Sequence, residues 1–195
     1  MSDHPGVGRG AVLEATDDRL DDDIALAASL GLTRVRIDVT WATIERRPGS
    51  WDGDVAERLL TACAAARAAG VAPWLRLLQP AVPTWFDDEG GFTDRRTAAT
   101  FWPRWVQAVA ERFGDVAAGW VPFEAPYAMS VRLMPDDARR HGEVMHHLVV
   151  AWRDAWRILR GVHPVATSLD VAIERAANDD PIERAAARRR DQLRW

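Results

Sequence analysis

The chain is predicted to be an α/β fold built on a sheet of about five parallel strands. A helix-like stretch, a glycine and a strand-like stretch follow one another four times along the sequence. Parallel strands need long connections of that kind to return to the same edge of a sheet. The 195 residues are 48% hydrophobic and 28% charged, the balance of one globular domain spanning 1–195. No repeat, low-complexity linker or shift of composition divides them.

The first strand is read in the apolar run Gly10 to Ala15. It precedes Asp17, Asp18 and Asp21 to Asp23, acids that oppose the macrodipole at a helix N-terminus. From Asp21 onward, Ile24, Leu26, Ala27, Leu30 and Leu32 form an apolar stripe, and Gly31 stops the helix. Arg34 to Val39 alternates charged and branched apolar residues, the two-residue period of a strand. The pairing recurs as a helix over Asp54 to Ala69, stopped by Gly70, with a strand over Val71 to Leu78. It recurs again as a helix over Asp94 to Phe113, stopped by Gly114, with a strand over Ala117 to Phe123. Met134 to Leu159 reads as helix, Gly161 breaks it, and Pro164 to Val171 is the fifth strand. Pro181, at a first helical position, opens a last helix that runs to the end.

Composition excludes several classes of function. Net charge is −4 and all 25 basic residues are arginines, so no domain-wide basic field exists to hold nucleic acid. Cys63 is the lone cysteine, which rules out an intrachain disulfide and gives no sign of an oxidising compartment. Met1 to Gly10 lacks an apolar signal core and no run of eighteen apolar residues occurs, so neither export nor membrane insertion is signalled and a cytoplasmic location is expected. His141, His146 and His147 lack the i, i+4 spacing that puts two ligands on one helix face, so no metal is expected. Gly6 to Gly10 precedes a strand instead of following one, the wrong context for a phosphate loop, and no cofactor is implied. Arg188 to Arg190 read as the solvated face of the terminal helix.

In a parallel α/β array the ligand site forms at the carboxyl ends of the strands. Those ends are Asp38 to Trp41, Gln79 to Pro83, Glu124 to Pro126 and Ser168 to Asp170. Charge also recurs along the strands, at Arg36, Asp38, Arg76 and Glu124, and buried charges must be mutually paired. Glu124 has two readings, an ion pair with Arg36 or Arg76 that fills the interior, or a ligand-contacting acid or base. Gln79 and Ser168 either line a pocket or satisfy loop backbone. Trp102, Trp105, Trp152 and Trp156 have helical spacing and read as core, which leaves Trp41 and Trp85 as platforms on which a ring could stack.

Trp120-Val-Pro-Phe-Glu-Ala-Pro126 resembles the Trp-x-Thr-Phe-Asn-Glu-Pro segment of glycoside hydrolase family 1, the β-glucosidase-like family. Arg34 to Trp41 with Pro48 to Trp51 is similar to that family's second strand and loop, and Val71 to Phe86 with Gly90 to Asp94 to its third. Glu111 to Gly114, His146 to Leu148 and Ala185 to Trp195 follow in the family's order. The resemblance implies a (β/α)8 barrel, here truncated to about five strands, and retaining hydrolysis of β-glycosides. It also implies departures. The family's acid/base Glu corresponds to Ala125, the preceding Asn to Glu124, the sugar-binding His of the third strand to Gln79, and the Asn closing the fifth strand to Ser168. The nucleophile lies on the family's seventh strand. Arg36 matches the second-strand arginine that pairs with that nucleophile.

Retaining hydrolysis needs two carboxyl groups about 5 Å apart, and loss of either costs orders of magnitude in rate. The expectation is therefore a protein of glycoside metabolism that lacks ordinary β-glucosidase activity. Its site residues are Glu124 as candidate acid or base, and Arg36, Arg76, Gln79, Trp41 and Ser168 around a glycoside or another small polar ligand. Two alternatives stand beside it: a repurposed enzyme using Glu124, and a sugar-binding or interaction scaffold. A barrel of about five strands leaves open sheet edges, so a homodimer is expected first and a second completing chain next.

Overall fold

The computed structural model describes residues 9–13, 19–168 and 175–194. Its strands are β1 (Gly10–Leu13), β2 (Arg34–Asp38), β3 (Ala72–Arg76) and β4 (Gly119–Val121), all parallel and ordered β1-β2-β3-β4. The helices are α1 (Leu20–Ser29), α2 (Trp41–Ile44), α3 (Gly53–Ala68), α4 (Thr84–Asp88), α5 (Arg95–Phe113), α6 (Pro126–Leu133), α7 (His141–Leu159) and α8 (Pro181–Arg194). Four of the five expected strands are therefore present. Of the fifth, the described residues form a parallel bridge between Trp120 and Val165, held by Trp120 N–H on the Pro164 carbonyl at 2.9 Å and Ala166 N–H on the Trp120 carbonyl at 2.8 Å. Residues 169–174, where its second half is expected, lie outside the described residues, as do 14, 15, 17 and 18 of the first strand and its following acids.

Local chemistry sets the boundaries. Asp52 and Asp94 cap α3 and α5, accepting from Val55 N–H at 3.2 Å and Thr97 N–H at 2.8 Å. The Thr97 N–H holds the exposed Asp94 carboxyl below its ordinary range. Gly70 ends the turn after α3 at a φ of +77°, in the left-handed region that glycine enters without a Cβ penalty. The helix expected from Met134 begins at His141, behind a short 3₁₀ turn over Ala138–Arg140. The segment in front of it forms α6, with Pro126 in the first turn.

Strand alternation divides the sheet into two faces. Val35, Ile37 and Leu75 are at most 1% exposed and pack under the helices, whereas Arg36, Trp74 and Arg76 occupy the opposite face and are half-buried. Between sheet and helices lies an aromatic core in which Trp41, Trp102, Trp105, Phe86 and Phe92 are all buried. Trp41 stacks on Trp105 with centroids 5.4 Å apart and planes 11° apart. Cys63 lies in this layer on α3, and burial pushes its thiol up to about 12, away from thiolate chemistry.

On the inner face Trp74 lies over Gly119, where a Cβ would stand 2.5 Å from the indole ring. Gly119→Ala is expected to cost about 1–3 kcal/mol by overpacking, read as a lower urea midpoint. Adding Trp74→Leu should restore most of the loss. An unchanged midpoint in the single variant would contradict the close approach.

Candidate functional site

The carboxyl ends of β2, β3 and β4 bring four charged side chains together. Arg36 and Asp38 come from alternate positions of β2, Arg76 stands beside Asp38 in the register of β3, and Glu124 follows β4. Arg76 donates from Nε to Asp38 Oδ1 at 2.8 Å and from Nη2 to Asp38 Oδ2, a bidentate pair. Its Nη1 donates to Glu124 Oε2 at 3.0 Å, and Arg36 Nη1 donates to Glu124 Oε1. The side chains are 18%, 9%, 17% and 21% exposed for Arg36, Asp38, Arg76 and Glu124, so the group is largely withdrawn from water and self-neutralising. Desolvation lowers the Arg76 pKa, but the hydrogen bonds and charges of Asp38 and then Glu124 outweigh it and raise the value above that of an ordinary arginine.

The two readings of Glu124 meet here in one geometry: it stands at a strand end, and it pairs with both arginines at once. Gln79 is 8% exposed and donates from Nε2 to the Arg76 carbonyl at 2.8 Å, while its Oε1 is buried with no partner among the described residues. Ser168 is exposed, and its carbonyl accepts from Ala125 N–H at 2.9 Å. Ala125 has φ +46°, a left-handed conformation uncommon for alanine and costing of order 1–3 kcal/mol. Asp170 lies outside the described residues.

Trp41 requires a correction. It is fully buried, packed against Trp105 and Phe86, and its indole N–H donates to Glu45 Oε2 at 2.7 Å, so no face of the ring is open for a sugar to stack on. The short helix α2 turns the chain after β2 inward and carries the ring with it. Trp85 stays partly exposed, but its N–H is spent on the Glu45 carbonyl at 2.9 Å. Two of the histidines also have partners: His141 Nε2 lies 2.8 Å from the Met134 carbonyl, and His147 Nδ1 lies 3.1 Å from that of Phe92. Among the described residues no group of three or more His, Cys, Asp or Glu is placed to hold a metal ion, and no helix is long and apolar enough to cross a membrane.

Glu45, which the strand-end reasoning missed, holds a buried network at 2% exposure. It accepts from Trp41, from Gly49 N–H at 2.6 Å and from Arg104. The Trp41–Glu45 spacing of four residues was the one signal available in the sequence.

The model of glycosyl hydrolase family 1 matches residues 12–194. The chain belongs to glycosyl hydrolase family 1. Among solved structures it is similar to a β-glucosidase from Exiguobacterium antarcticum, at 16% identity over 100% of this chain and 55% of that one, with a TM-score of 0.83. It is also similar to a β-glycosidase from Pyrococcus horikoshii, at 22% identity over 91% and 43%, TM-score 0.79. A psychrophilic β-glucosidase from Micrococcus antarcticus matches at 24% identity over 90% and 40%, TM-score 0.77. At these identities the likeness establishes the fold, so the parallel sheet and its helices are of the family 1 (β/α)8 barrel type. The chain spans about half the length of these relatives, 40% to 55%. Ala125 stands at the left-handed turn where β4 passes into α6.

Proposed function

We propose that this family 1 chain binds a glycoside at the carboxyl ends of its strands and does not hydrolyse it by the retaining route. One observation carries the proposal: Glu124 has both oxygens paired with arginines, and the sequence resemblance sets its neighbour Ala125 at the position of the motif's glutamate. A carboxyl held in this way is already paired at both oxygens, and those ion pairs oppose its turning to a leaving group. The strand-end residues still suit recognition. Gln79 Oε1 is a buried acceptor in need of a hydroxyl donor, and Arg36, Arg76 and Ser168 surround the same strand ends. A repurposed acid or base role for Glu124 would need the ion pairs to open first.

With the full chain, turnover of an aryl β-glucoside is expected to stay at the buffer rate, and Ala125→Glu alone is expected to restore none. Turnover about a thousandfold above buffer that Glu124→Gln abolishes would overturn the proposal. A homodimer and a cytoplasmic location belong to the same reading. Among the described residues β1 has β2 as its only strand neighbour, and an open edge is normally covered. The native mass at micromolar concentration is expected to be twice the 21.7 kDa of one chain, and a sharp 21.7 kDa species would count against self-association.

A further inference from the structure

Between α5 and α7 lies a cavity of about 200 Å³ that no member of the strand-end quartet lines. Its walls are apolar. Ala98 and Ala99 come from α5, Val150 and Ala151 from α7, and the indole of Trp102 adds a ring whose N–H is spent on the Ala151 carbonyl at 2.9 Å. A dry apolar cavity of about 150 Å³ takes a benzene ring, so this one has room for a single substituted ring.

One polar ring stands deep in these walls. His147 of α7 lines the cavity and is 9% exposed. Its Nδ1 lies 3.1 Å from the Phe92 carbonyl, which can only accept, so Nδ1 carries the hydrogen and Nε2 of the neutral ring is an acceptor. Nε2 has no partner among the described residues and is not sealed from solvent. With the Nδ1 side turned to Phe92, the Nε2 side is what the ring offers the cavity. The mouth is positive. Arg95 is exposed in the first turn of α5, where a cation opposes the helix dipole, and it has no ion-pair partner among the described residues. Its neighbour Asp94 is engaged on the Thr97 N–H. Asp154, the carboxylate of the wall, is shared by Arg153 and Arg157 at 3.4 Å each, so cations outnumber it.

We infer that the cavity between α5 and α7 is a second binding site, and that it takes a small phenolic carboxylate of the class of 4-hydroxybenzoate. The phenol O–H donates to His147 Nε2, the ring lies against Ala98, Val150 and Trp102, and the carboxylate meets Arg95 and Arg153 at the mouth. A sugar would press most of its hydroxyls against carbon, and an inorganic anion would leave the apolar walls unfilled. The site stands independently of glycoside binding at the strand ends.

Isothermal titration of the full chain with 4-hydroxybenzoate at low salt is expected to give a Kd between about 0.1 and 1 mM, in keeping with a ligand of about ten non-hydrogen atoms. Benzoate, which lacks the hydroxyl, and methyl 4-hydroxybenzoate, which lacks the charge, should each bind about fivefold more weakly. Ala99→Leu, at an exposed helical position that leucine suits, fills the mouth and should weaken 4-hydroxybenzoate by about tenfold or more. His147→Asn keeps a donor in the place of Nδ1 and removes Nε2, and should bring 4-hydroxybenzoate down to the affinity of benzoate. Arg95→Gln should shrink the preference for the acid over its ester to about twofold. Should His147→Asn fail to fold, benzoate and the two exposed substitutions carry the test. No binding of 4-hydroxybenzoate up to about 10 mM overturns the site. Undiminished binding to Ala99→Leu, or displacement by methyl β-D-glucoside, puts the ligand elsewhere and overturns the assignment. Benzoate as tight as 4-hydroxybenzoate overturns the phenol, and the ester as tight as the acid overturns the carboxylate. None of these results touches glycoside binding at the strand ends, which titration with the glucoside alone decides.

Discussion

Glu45→Ala is expected to destabilise the fold by about 3 kcal/mol. Glu45 is 2% exposed, and its side chain is the acceptor for the buried Trp41 indole N–H and for the Gly49 backbone N–H. Removing it strands both donors, and each unmade bond costs about 1–3 kcal/mol. Arg104, the third donor, is 42% exposed and also lies over the Phe101 ring at 5.2 Å, so it returns to water at little further cost. Glu45→Gln keeps one acceptor oxygen where three donors converge and should lose about half as much. Urea unfolding followed by tryptophan fluorescence reads the difference, with an unchanged m-value showing that stability alone has moved. A loss below about 1 kcal/mol in the alanine variant would mean that the donors find other partners and that Glu45 does not organise the core.

What was legible in the sequence is what depends on neighbours along the chain. Periodicity, capping acids and glycine stops located α1, α3 and α5 and the strands after them, because helix entry and exit are settled within about one turn. Strand alternation also told which residues share a face, and from it the pairing of Arg36, Asp38, Arg76 and Glu124 could be anticipated. Which of the possible pairs form could not. That depends on the parallel register that sets Asp38 against Arg76 and on the left-handed turn at Ala125 just beyond Glu124. Trp41 misled for a related reason. Its place after a strand suggested an open site, but a single turn of helix buries it, and its partner Trp105 is 64 residues away in sequence (105 − 41). Glu45 escaped altogether because Arg104 reaches it from a different helix.

The largest effect at the site is expected from uncoupling Asp38 and Arg76. Asp38→Leu leaves the Nε and Nη2 donors of Arg76 unpaired at 17% side-chain exposure, and Arg76→Leu leaves Asp38, 9% exposed, with Arg36 Nε at 3.7 Å as its nearest cation. Breaking a buried ion pair from one side costs about 3–5 kcal/mol, because a charge remains in low dielectric without its partner. Removing both sides leaves no such charge, and Arg36 with Glu124 still forms a neutral pair. Asp38→Leu with Arg76→Leu is therefore expected to be more stable than either single variant, with a coupling energy of about 2–3 kcal/mol in a double-mutant cycle of urea midpoints. Simple additivity would mean that the two residues do not depend on each other, and the picture of a closed quartet would fail. If the double variant were the least stable of the three, the quartet would be contributing net stability that a pair of leucines cannot replace.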